Sequence, residues 1–410
     1  MATNWVKDGV YRSNQTSEDS LIRDITDKIE NITESLHKAP FWLFLEKFKK
    51  RNRNVSNMKY EMLESDILDI TTTITADATV TTDSNVAVTE RALFVAGCTI
   101  FNATQKEYGR VTTAVTSTGA GNIVVTLLAG VAINHATGTA AGLWKASDVL
   151  INLGVTSTEG ADDPAAVSRQ LDTRYNYCEI VDTNISISDI AEMSKQYGTT
   201  NRKQYEIKCA ILDHMAKLEA KLIFGVRGTS TAGGKTWWTT GGLLDPNTGI
   251  KTANVLDMSG GAFTKNTFEN TFLYQIFKHG GSTKKIAFCS PGGLVLLNKL
   301  YEAAYTVNMN PGDKMVGIST RTIHHSLGQL ELVPHYLMTP ERYGAAYGNM
   351  IFVVDPENIG KVGFAGQGGI KHRKDRQNPN SNLYKENIRT IFGVDNFRPE
   401  VHGLIHNFAV

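Results

Sequence analysis

The chain has 410 residues and a mass of 45.0 kDa, and 42 Lys and Arg residues against 41 Asp and Glu residues leave a net charge of +1. Hydrophobic residues make up 41% and charged residues 20%, which excludes a disordered chain and allows a core that needs no disulfide or metal. The near-zero charge disfavours a dedicated nucleic-acid-binding protein, because such proteins carry a basic excess.

The sequence contains no recognisable secretion or membrane signal. Its first residues lack a basic stretch followed by an apolar one, so we expect no signal peptide. No apolar run reaches the roughly 18 residues that a membrane span needs. The cysteines at 98, 178, 209 and 289 form no Cys-x-x-Cys pair, and we therefore predict buried thiols without disulfides.

Residues 1–59 are predicted to form an N-terminal arm. Ser17 is typical of a helix start, because its hydroxyl can accept a hydrogen bond from a first-turn amide. The apolar residues that follow recur at helical spacing and predict an amphipathic helix that ends near Pro40. These residues are Leu21, Ile25, Ile29, Ile32 and Leu36. An aromatic stretch that begins with Phe41 and Trp42 comes next, followed by a basic cluster in residues 47–53.

The residue composition of segment 60–190 is typical of β-structure. Short runs of Thr and Val alternate with Gly and Ala, and residues 118–122 are predicted to form the turn of a hairpin. Many small strands of this kind suit an extended, projecting β-element better than a compact enzyme core.

Residues 204–225 carry the strongest helical pattern of the chain. An apolar stripe runs along one face, and Gly225 is predicted to end the helix in the left-handed conformation. The stripe consists of Ile207, Ile211, Met215, Leu218 and Leu222. A glycine-rich stretch, residues 228–242, follows, and its residues 228–236 are predicted to form a flexible loop.

Helices and strands alternate in the remainder of the chain. Phe268, Phe272 and Ile276 predict a helix that ends at residues 280–281, and residues 285–289 predict a buried strand. Ser290 followed by Pro291 is typical of a helix start, here of a helix through residue 304. Further strands are predicted at 328–333 and 350–354, and sheet structure at 388–408.

No catalytic, metal-binding or cofactor-binding motif stands out. Residues 228–236 resemble a phosphate-binding loop, but five residues separate Gly228 from Gly234 where the motif has four, and a helix precedes the stretch instead of a strand. A nucleotide hydrolase built on this loop is therefore the least favoured alternative. His324 and His325 are adjacent in a predicted strand and point to opposite faces, so they would not chelate a metal together.

A second basic cluster carries Lys371, Arg373, Lys374 and Arg376. It is either a solvated loop or a surface that contacts a partner or the phosphates of DNA, because clustered cations neutralise phosphates without reading sequence.

The order of these parts resembles the major capsid proteins of tailed bacteriophages, which have the HK97-like capsid fold. The likeness rests on residues 144–154, 159–160, 175–180, 185–187, 218–225, 241–243, 287–291, 327–335 and 350–356. The resemblance implies an α+β fold in five parts. These are an arm (1–59), an extended loop with an inserted β-subdomain (60–190), a spine helix with a glycine-rich loop (191–250), an axial domain (251–350) and a returning peripheral sheet (351–410).

The resemblance also implies a structural function without enzymatic activity, cofactor or metal. Copies would assemble as hexamers and pentamers into an icosahedral head that encloses double-stranded DNA, in the virion capsid, after assembly in the host cytoplasm. Expected partners are a scaffold, a portal and decoration proteins, and no membrane. A non-viral shell protein of the same fold is the main alternative, and a tail or fibre protein is a weaker one.

Under this hypothesis, particular residues are expected to matter for assembly. The apolar stripe of the arm, together with Phe41 and Trp42, would dock between subunits. Glu219, Gly225 and Gly242 would act at the spine helix and its exit.

Overall fold

The computed structural model describes residues 39–64, 69–113, 119–132, 142–157, 159–160, 171–194, 202–261, 263–302, 314–315, 318–319, 321–380 and 382–409. They form two compact units. Unit one comprises the described residues up to Met62 and from Arg174 onwards, and unit two is Leu63–Thr173. None of the helices in these ranges is both long and apolar enough to cross a membrane. The helix predicted for the arm lies outside the described residues.

Six α-helices lie in the described ranges. They are α1 (Pro40–Lys47), α2 (Asp189–Met193), α3 (Arg202–Phe224), α4 (Tyr274–Phe277), α5 (Pro291–Glu302) and α6 (Pro340–Gly348). A π-helical segment, Thr267–Leu273, leads directly into α4. Short 3-10 turns occupy Lys49–Arg51, Thr252–Asn254 and Pro399–Val401.

The strands are numbered in chain order. The first ten are β1 (Arg53–Val55), β2 (Lys59–Glu64), β3 (Thr71–Thr73), β4 (Ala78–Thr79), β5 (Ser84–Val88), β6 (Cys98–Asn102), β7 (Glu107–Val111), β8 (Gly121–Ala132), β9 (Leu143–Trp144) and β10 (Val149–Val155). The others are β11 (Asp172–Tyr177), β12 (Glu179–Ser188), β13 (Gly228–Ala232), β14 (Lys235–Thr239), β15 (Val255–Asp257), β16 (Lys284–Cys289), β17 (Lys314–Met315), β18 (Ile318–Ser319), β19 (Arg321–His325), β20 (Gly328–Pro334), β21 (Met350–Val354), β22 (Ile359–Phe364), β23 (Lys371–Arg373), β24 (Leu383–Asn396) and β25 (Gly403–His406).

Unit two is a closed antiparallel barrel. Its six strands follow the order β3-β10-β6-β7-β8-β5. Ile74, directly after β3, bridges to Val88 in β5, and the Thr89 amide donates to the Thr73 carbonyl at 2.9 Å. These contacts join the first strand of the order to the last, so the sheet keeps no open edge there.

The barrel has an apolar core of its own. Buried and half-buried residues alternate along β6 and β7, as expected for strands with one face inward. The core residues are Ile74, Val80, Val86, Val88, Leu93, Phe94, Cys98, Ile100, Val111, Ile123, Val125, Trp144 and Leu150.

A six-stranded sheet, in the order β15-β25-β21-β16-β20-β19, forms one half of unit one. Its strand β21 is buried along its whole length. Alternate residues of β16 and β21 enter two different clusters, because neighbouring side chains of a strand point to opposite faces. Ile286, Phe288 and Phe352 join the cluster with α1 and α3, whereas Ala287 and Ile351 join the cluster with α5 and the π-helical segment.

A second sheet of unit one, in the order β1-β22-β24-β12, supports α3, and β23 also pairs with β24. Strands β12 and β24 pair antiparallel from Glu179 opposite Phe392 to Ser188 opposite Leu383. Leu218 and Leu222 of α3 pack with Phe392 of this sheet, so the predicted apolar stripe faces a core.

Most helix and strand predictions for unit one are confirmed. Helix α3 covers Arg202–Phe224, and α5 begins at Pro291 with the Ser290 hydroxyl accepting from the Gly293 amide at 3.0 Å. The end of the arm helix near Pro40 stays a prediction, because residues 1–38 lie outside the described residues. Pro40 itself begins α1, a helix that was not predicted, because a proline is well suited to a first helical position where no amide is needed. The glycine-rich stretch is no loop: β13 and β14 pair as a hairpin around Gly233 and Gly234, whose φ angles are 58° and 71°.

The five-part division of the chain remains a prediction. The structure separates a unit of 63–173 where the sequence suggested 60–190. The last part of that predicted segment, β12, pairs with β24 in unit one.

Candidate functional site

The start of α1 is held by a side chain from the spine helix α3. The N-cap residue, Ala39, has no oxygen in its side chain, so the first amides of α1 need another acceptor. The Glu219 carboxylate supplies it: Oε1 accepts from the Phe41 amide at 2.9 Å, and Oε2 accepts from the Trp42 amide at 2.7 Å. Negative charge at a helix N-terminus is also favoured by the helix dipole.

A third segment meets this carboxylate. His335, which directly follows β20, places Nε2 at 2.5 Å from Glu219 Oε1. Both side chains are completely buried. Nε2 faces a carboxylate oxygen and is therefore the donor, while Nδ1 has no hydrogen-bond partner. We call this set (Glu219, His335 and the amides of Phe41 and Trp42) the Glu219 junction.

The side chains of Phe41 and Trp42 lie in the core of their own chain. Phe41 packs edge-on against Phe288 and Phe352, with ring centroids 5.3 Å apart in both pairs. Trp42 packs against Phe392 at 5.2 Å. Docking between subunits through these two rings would require exposed surface, and the exposed fractions are 0% and 1%. Their place in the structure is that of an anchor at the root of the arm.

The other predicted arm residues cannot be placed. Leu21, Ile25, Ile29, Ile32 and Leu36 lie outside the described residues. The junction nevertheless fixes where the chain enters the described part, because α1 begins directly after Ala39.

The exit of the spine helix is closed by the chain that follows the hairpin. The Gly242 amide donates to the Gly225 carbonyl at 2.8 Å, and the Leu243 amide donates to the Leu222 carbonyl at 2.8 Å. Carbonyls that the last helical turn leaves without a partner are thereby satisfied.

Close backbone approach explains both glycines at this exit. The left-handed conformation predicted for Gly225 is wrong, since its φ is not positive. A Cβ there would lie 2.5 Å from the Lys221 carbonyl oxygen and 2.6 Å from that of Thr240. A Cβ on Gly242 would lie 2.6 Å from the Leu222 carbonyl oxygen. Both glycines are therefore required by the close approach of two chain segments, and the sequence alone does not show how close those segments lie.

A buried ionic cluster of unit one was missed by the sequence analysis. Lys285 Nζ lies 3.4 Å from Asp355 Oδ2 and 3.1 Å from the Val401 carbonyl oxygen, and both charged side chains are 0% exposed. Burial lowers the pKa of Lys285 despite the neighbouring carboxylate. Burial also lowers the pKa of His402, whose Nδ1 accepts from the Asp355 amide, to about 3.

The carboxyl group of this cluster stays acidic. Burial alone would raise the pKa of Asp355, but hydrogen bonds from the Ser282 and Glu357 amides and the Lys285 charge lower it on balance. Because the side chains of Lys285, Asp355 and His402 are buried, the cluster offers no access to a substrate.

The predicted basic cluster lies on β23 and the residues after it. Lys371, Lys374 and Arg376 are exposed, and Arg373 is half-buried. None of the four forms an ion pair with a carboxylate of the described residues. The cluster in residues 47–53 differs, because Lys50 pairs with Glu357 and Arg53 pairs with Asp395.

The remaining motifs offer no catalytic site. Lys235 stands on a strand of the hairpin with no helix after it, so the amide cradle of a phosphate-binding loop is absent from residues 228–239. His324 and His325 lie on β19 as expected. No cluster of three or more metal-binding side chains occurs within the described ranges.

Solved structures with a similar fold are shells. The chain resembles the capsid of cyanophage A-1(L) at 11% identity and a TM-score of 0.50, over 97% of this chain and 100% of that one. The capsid of a native GTA particle matches at 8% identity and a TM-score of 0.49, over 96% and 97% of the two chains. The SrpI encapsulin from Synechococcus elongatus matches at 11% identity and a TM-score of 0.39, over 59% and 78%.

Identities this low indicate a shared fold and nothing finer, and this fold is the HK97-like capsid fold with an α+β architecture. No curated protein matches the sequence. The model of the SU10 major capsid protein family matches residues 8–409, which is nearly the whole chain. The chain is therefore a structural subunit of a tailed-phage virion capsid built from repeated copies, it is not an enzyme, and it belongs to the SU10 major capsid protein family.

Proposed function

We propose that copies of this chain assemble as hexamers and pentamers into an icosahedral phage head that encloses double-stranded DNA. The observation that carries this proposal is the Glu219 junction. It gives the arm a rigid root: three donors converge on one buried carboxylate, directly where residues 1–38 join the described chain. A segment that leaves from a fixed point can reach the same site on every neighbouring copy.

The arm supplies the contact between copies in this proposal. Its stripe (Leu21, Ile25, Ile29, Ile32 and Leu36) presents apolar side chains that gain free energy by docking on a neighbour, at about 25 cal/mol per Å² of buried apolar surface. The sequence opposite the stripe is charged, which suits a helix with one face against a partner.

Two charges placed in the stripe test this role. In the double variant Ile25→Asp with Ile29→Asp we expect a folded subunit that forms few particles, measured by sedimentation and negative-stain imaging. The matched control is Thr26→Asp with Asn31→Asp, which adds the same charge away from the stripe and should assemble normally. Normal particles from the stripe variant would contradict the docking role, and a wild-type chain that forms no rings or shells with its scaffold would contradict self-assembly itself.

Contact with packaged DNA is proposed for Lys371, Arg373, Lys374 and Arg376. Support comes from the exposure of Lys371, Lys374 and Arg376, and from the lack of an ion pair to any of the four cations within the described ranges. Replacing all four by Gln should weaken binding to duplex DNA and flatten its dependence on salt, because fewer counterions would be released. An unchanged salt dependence of DNA binding would contradict the proposed contact between these residues and DNA.

Scaffold, portal and decoration proteins are proposed as further partners, and the host cytoplasm as the place of assembly. The non-viral shell of the same fold remains the alternative. The contents of purified particles distinguish the two, since a phage head would contain duplex DNA and the alternative would contain protein cargo.

A further inference from the structure

The hairpin β13–β14 is an excursion from the body of unit one. The spine helix is already closed by the bond between Gly225 and Gly242, so the residues between them are not needed to finish it. Strand β14 also contacts β12, but most hairpin residues are exposed, and a two-stranded hairpin by itself is only marginally stable in water. A hairpin of this kind gains stability from a partner surface.

The end of the hairpin combines one cation with one large apolar ring. Lys235 follows the turn and is exposed, and Trp237 is 53% exposed. Lys235 has no ion-pair partner in the part of the chain that the structure describes. Tryptophan is enriched at the centres of protein interfaces, where it contributes much of the binding energy. We call these two residues the hairpin tip.

The short helix α2 carries the opposite combination. Ile190 and Met193 are 79% and 83% exposed, and they are flanked by the exposed carboxylates of Asp189 and Glu192. Neither carboxylate forms an ion pair within the described ranges. We call these four residues the α2 patch. Its two carboxylates complement the positive charge of Lys235 at the hairpin tip. Its exposed Met193 thioether and Ile190 side chain complement the apolar ring of Trp237.

The two surfaces belong to different ends of the spine helix. Ala191 of α2 packs against the same apolar cluster as Ile207 and Ile211 in the first half of α3, whereas the hairpin begins after Phe224. Phe224 lies thirteen positions after Ile211 along the helix, or about 20 Å at 1.5 Å per residue. A contact between two different surfaces at opposite ends of one element can repeat head-to-tail from copy to copy, and it forms a closed ring when the rotation between copies closes.

We propose that the hairpin tip of one copy docks on the α2 patch of the next copy in the shell. The contact places Lys235 between the two carboxylates and the Trp237 ring against the two apolar side chains. Its partner is a second copy of this chain, because charge complementarity joins two surfaces that every copy presents. This inference rests on the self-assembly proposed above.

Cysteine pairing between different copies tests the contact directly. One chain carries Lys235→Cys and another carries Glu192→Cys, the two are assembled together, and oxygen with a copper catalyst oxidises nearby thiol pairs to disulfides. A disulfide requires Cα atoms within about 7 Å. We expect covalent dimers only when both variants are present. The native thiols are buried at 98, 178 and 289 and half-buried at 209, and the wild-type chain controls for them.

Charge reversal provides an independent readout. Lys235→Glu should raise the protein concentration needed for assembly by roughly tenfold, because it sets like charges against each other. Adding Asp189→Lys and Glu192→Lys to the same chain should restore assembly. Lys145→Glu, an equal change of charge on an exposed residue of unit two, is the matched control. Circular dichroism of the free subunits verifies that each variant is folded.

The outcomes separate this contact from self-assembly. A wild-type chain that forms no shell contradicts the proposed assembly. A wild-type chain that assembles, with no mixed cross-link and no effect of charge reversal, overturns the hairpin contact alone. Cross-linking in the Lys235→Cys chain by itself would also overturn it, since hairpins would then meet each other at a symmetry axis.

Discussion

Two buried carboxylates perform the same task in the two units, at very different ranges along the chain. In the barrel, Glu107 accepts from the Gly142 amide at 2.9 Å and from Trp144 Nε1 at 2.8 Å, partners 35 and 37 residues away. In unit one, Glu219 accepts from the Phe41 amide 178 residues away and from His335, 116 residues away.

This difference in sequence range predicts how far the effect of losing each carboxylate extends through the structure. The Glu107 bonds join β7 to Gly142 and to Trp144 of β9, all within unit two, so their loss is a local event. The Glu219 junction ties the root of the arm, the spine helix and the six-stranded sheet to one another. A lesion there reaches the segment that we propose to contact neighbouring copies.

Glu219→Ala should have the largest effect. It leaves two amides and one imidazole buried without an acceptor, and we expect a loss of about 3–5 kcal/mol in the free energy of unfolding of unit one. Denaturant unfolding measures the loss, and hydrogen exchange at Phe41 and Trp42 measures the release of α1.

Two matched variants sharpen this result. Glu219→Gln keeps one acceptor oxygen and should lose less than Glu219→Ala. Glu107→Ala should lose a similar free energy in the barrel while the amides of Phe41 and Trp42 stay protected. Rapid exchange at those amides in Glu107→Ala would show that the two sites are not separate.

Acid should weaken unit one through His214. This side chain is fully buried on α3 and bridges Thr183 of β12 and Thr390 of β24 at 3.0 and 2.9 Å. Burial lowers its pKa to about 4, and the Lys217 charge adds to this although Asp182 opposes it. The unfolded chain takes up the proton near pH 6.5, so stability falls as pH decreases from 6.5 to 4, by about 3 kcal/mol for this group.

The slope of stability against pH is the measurement. His214→Gln should bind up to about one proton less on unfolding between pH 6.5 and 4, so its stability should fall less steeply than that of the wild type. Parallel curves for the two proteins would mean that other groups, such as His402, carry the acid sensitivity.

Gly225→Ala should have the smallest effect of the three, a loss of about 1–3 kcal/mol, because its Cβ would meet two carbonyl oxygens at the helix exit. Gly369→Ala is the matched control, since a Cβ there meets nothing within 4 Å and its φ is not positive. Thermal unfolding compares the two. Equal stabilities would show that the helix exit relaxes around the added methyl group without cost.

Local pattern was sufficient for the elements whose signal lies within a few turns. The stripe of α3, the Ser290–Pro291 start of α5 and the buried strands β16 and β21 follow from hydrophobic period and capping chemistry, which act between neighbouring residues. The order of these parts also sufficed to suggest the family, which the match over residues 8–409 confirms.

Tertiary structure alone decided which distant residues meet. The sequence marks Glu219, His335 and Pro40 as separate residues, and nothing local indicates that a carboxylate on the spine helix replaces the missing cap of α1. The same holds for the closure of the barrel at Ile74 and Val88, and for Gly225, where a Cβ would also meet the Thr240 carbonyl fifteen residues later. Hydrophobic period determines which face of an element is buried, but the partner of a buried polar group is set by the packing of whole elements.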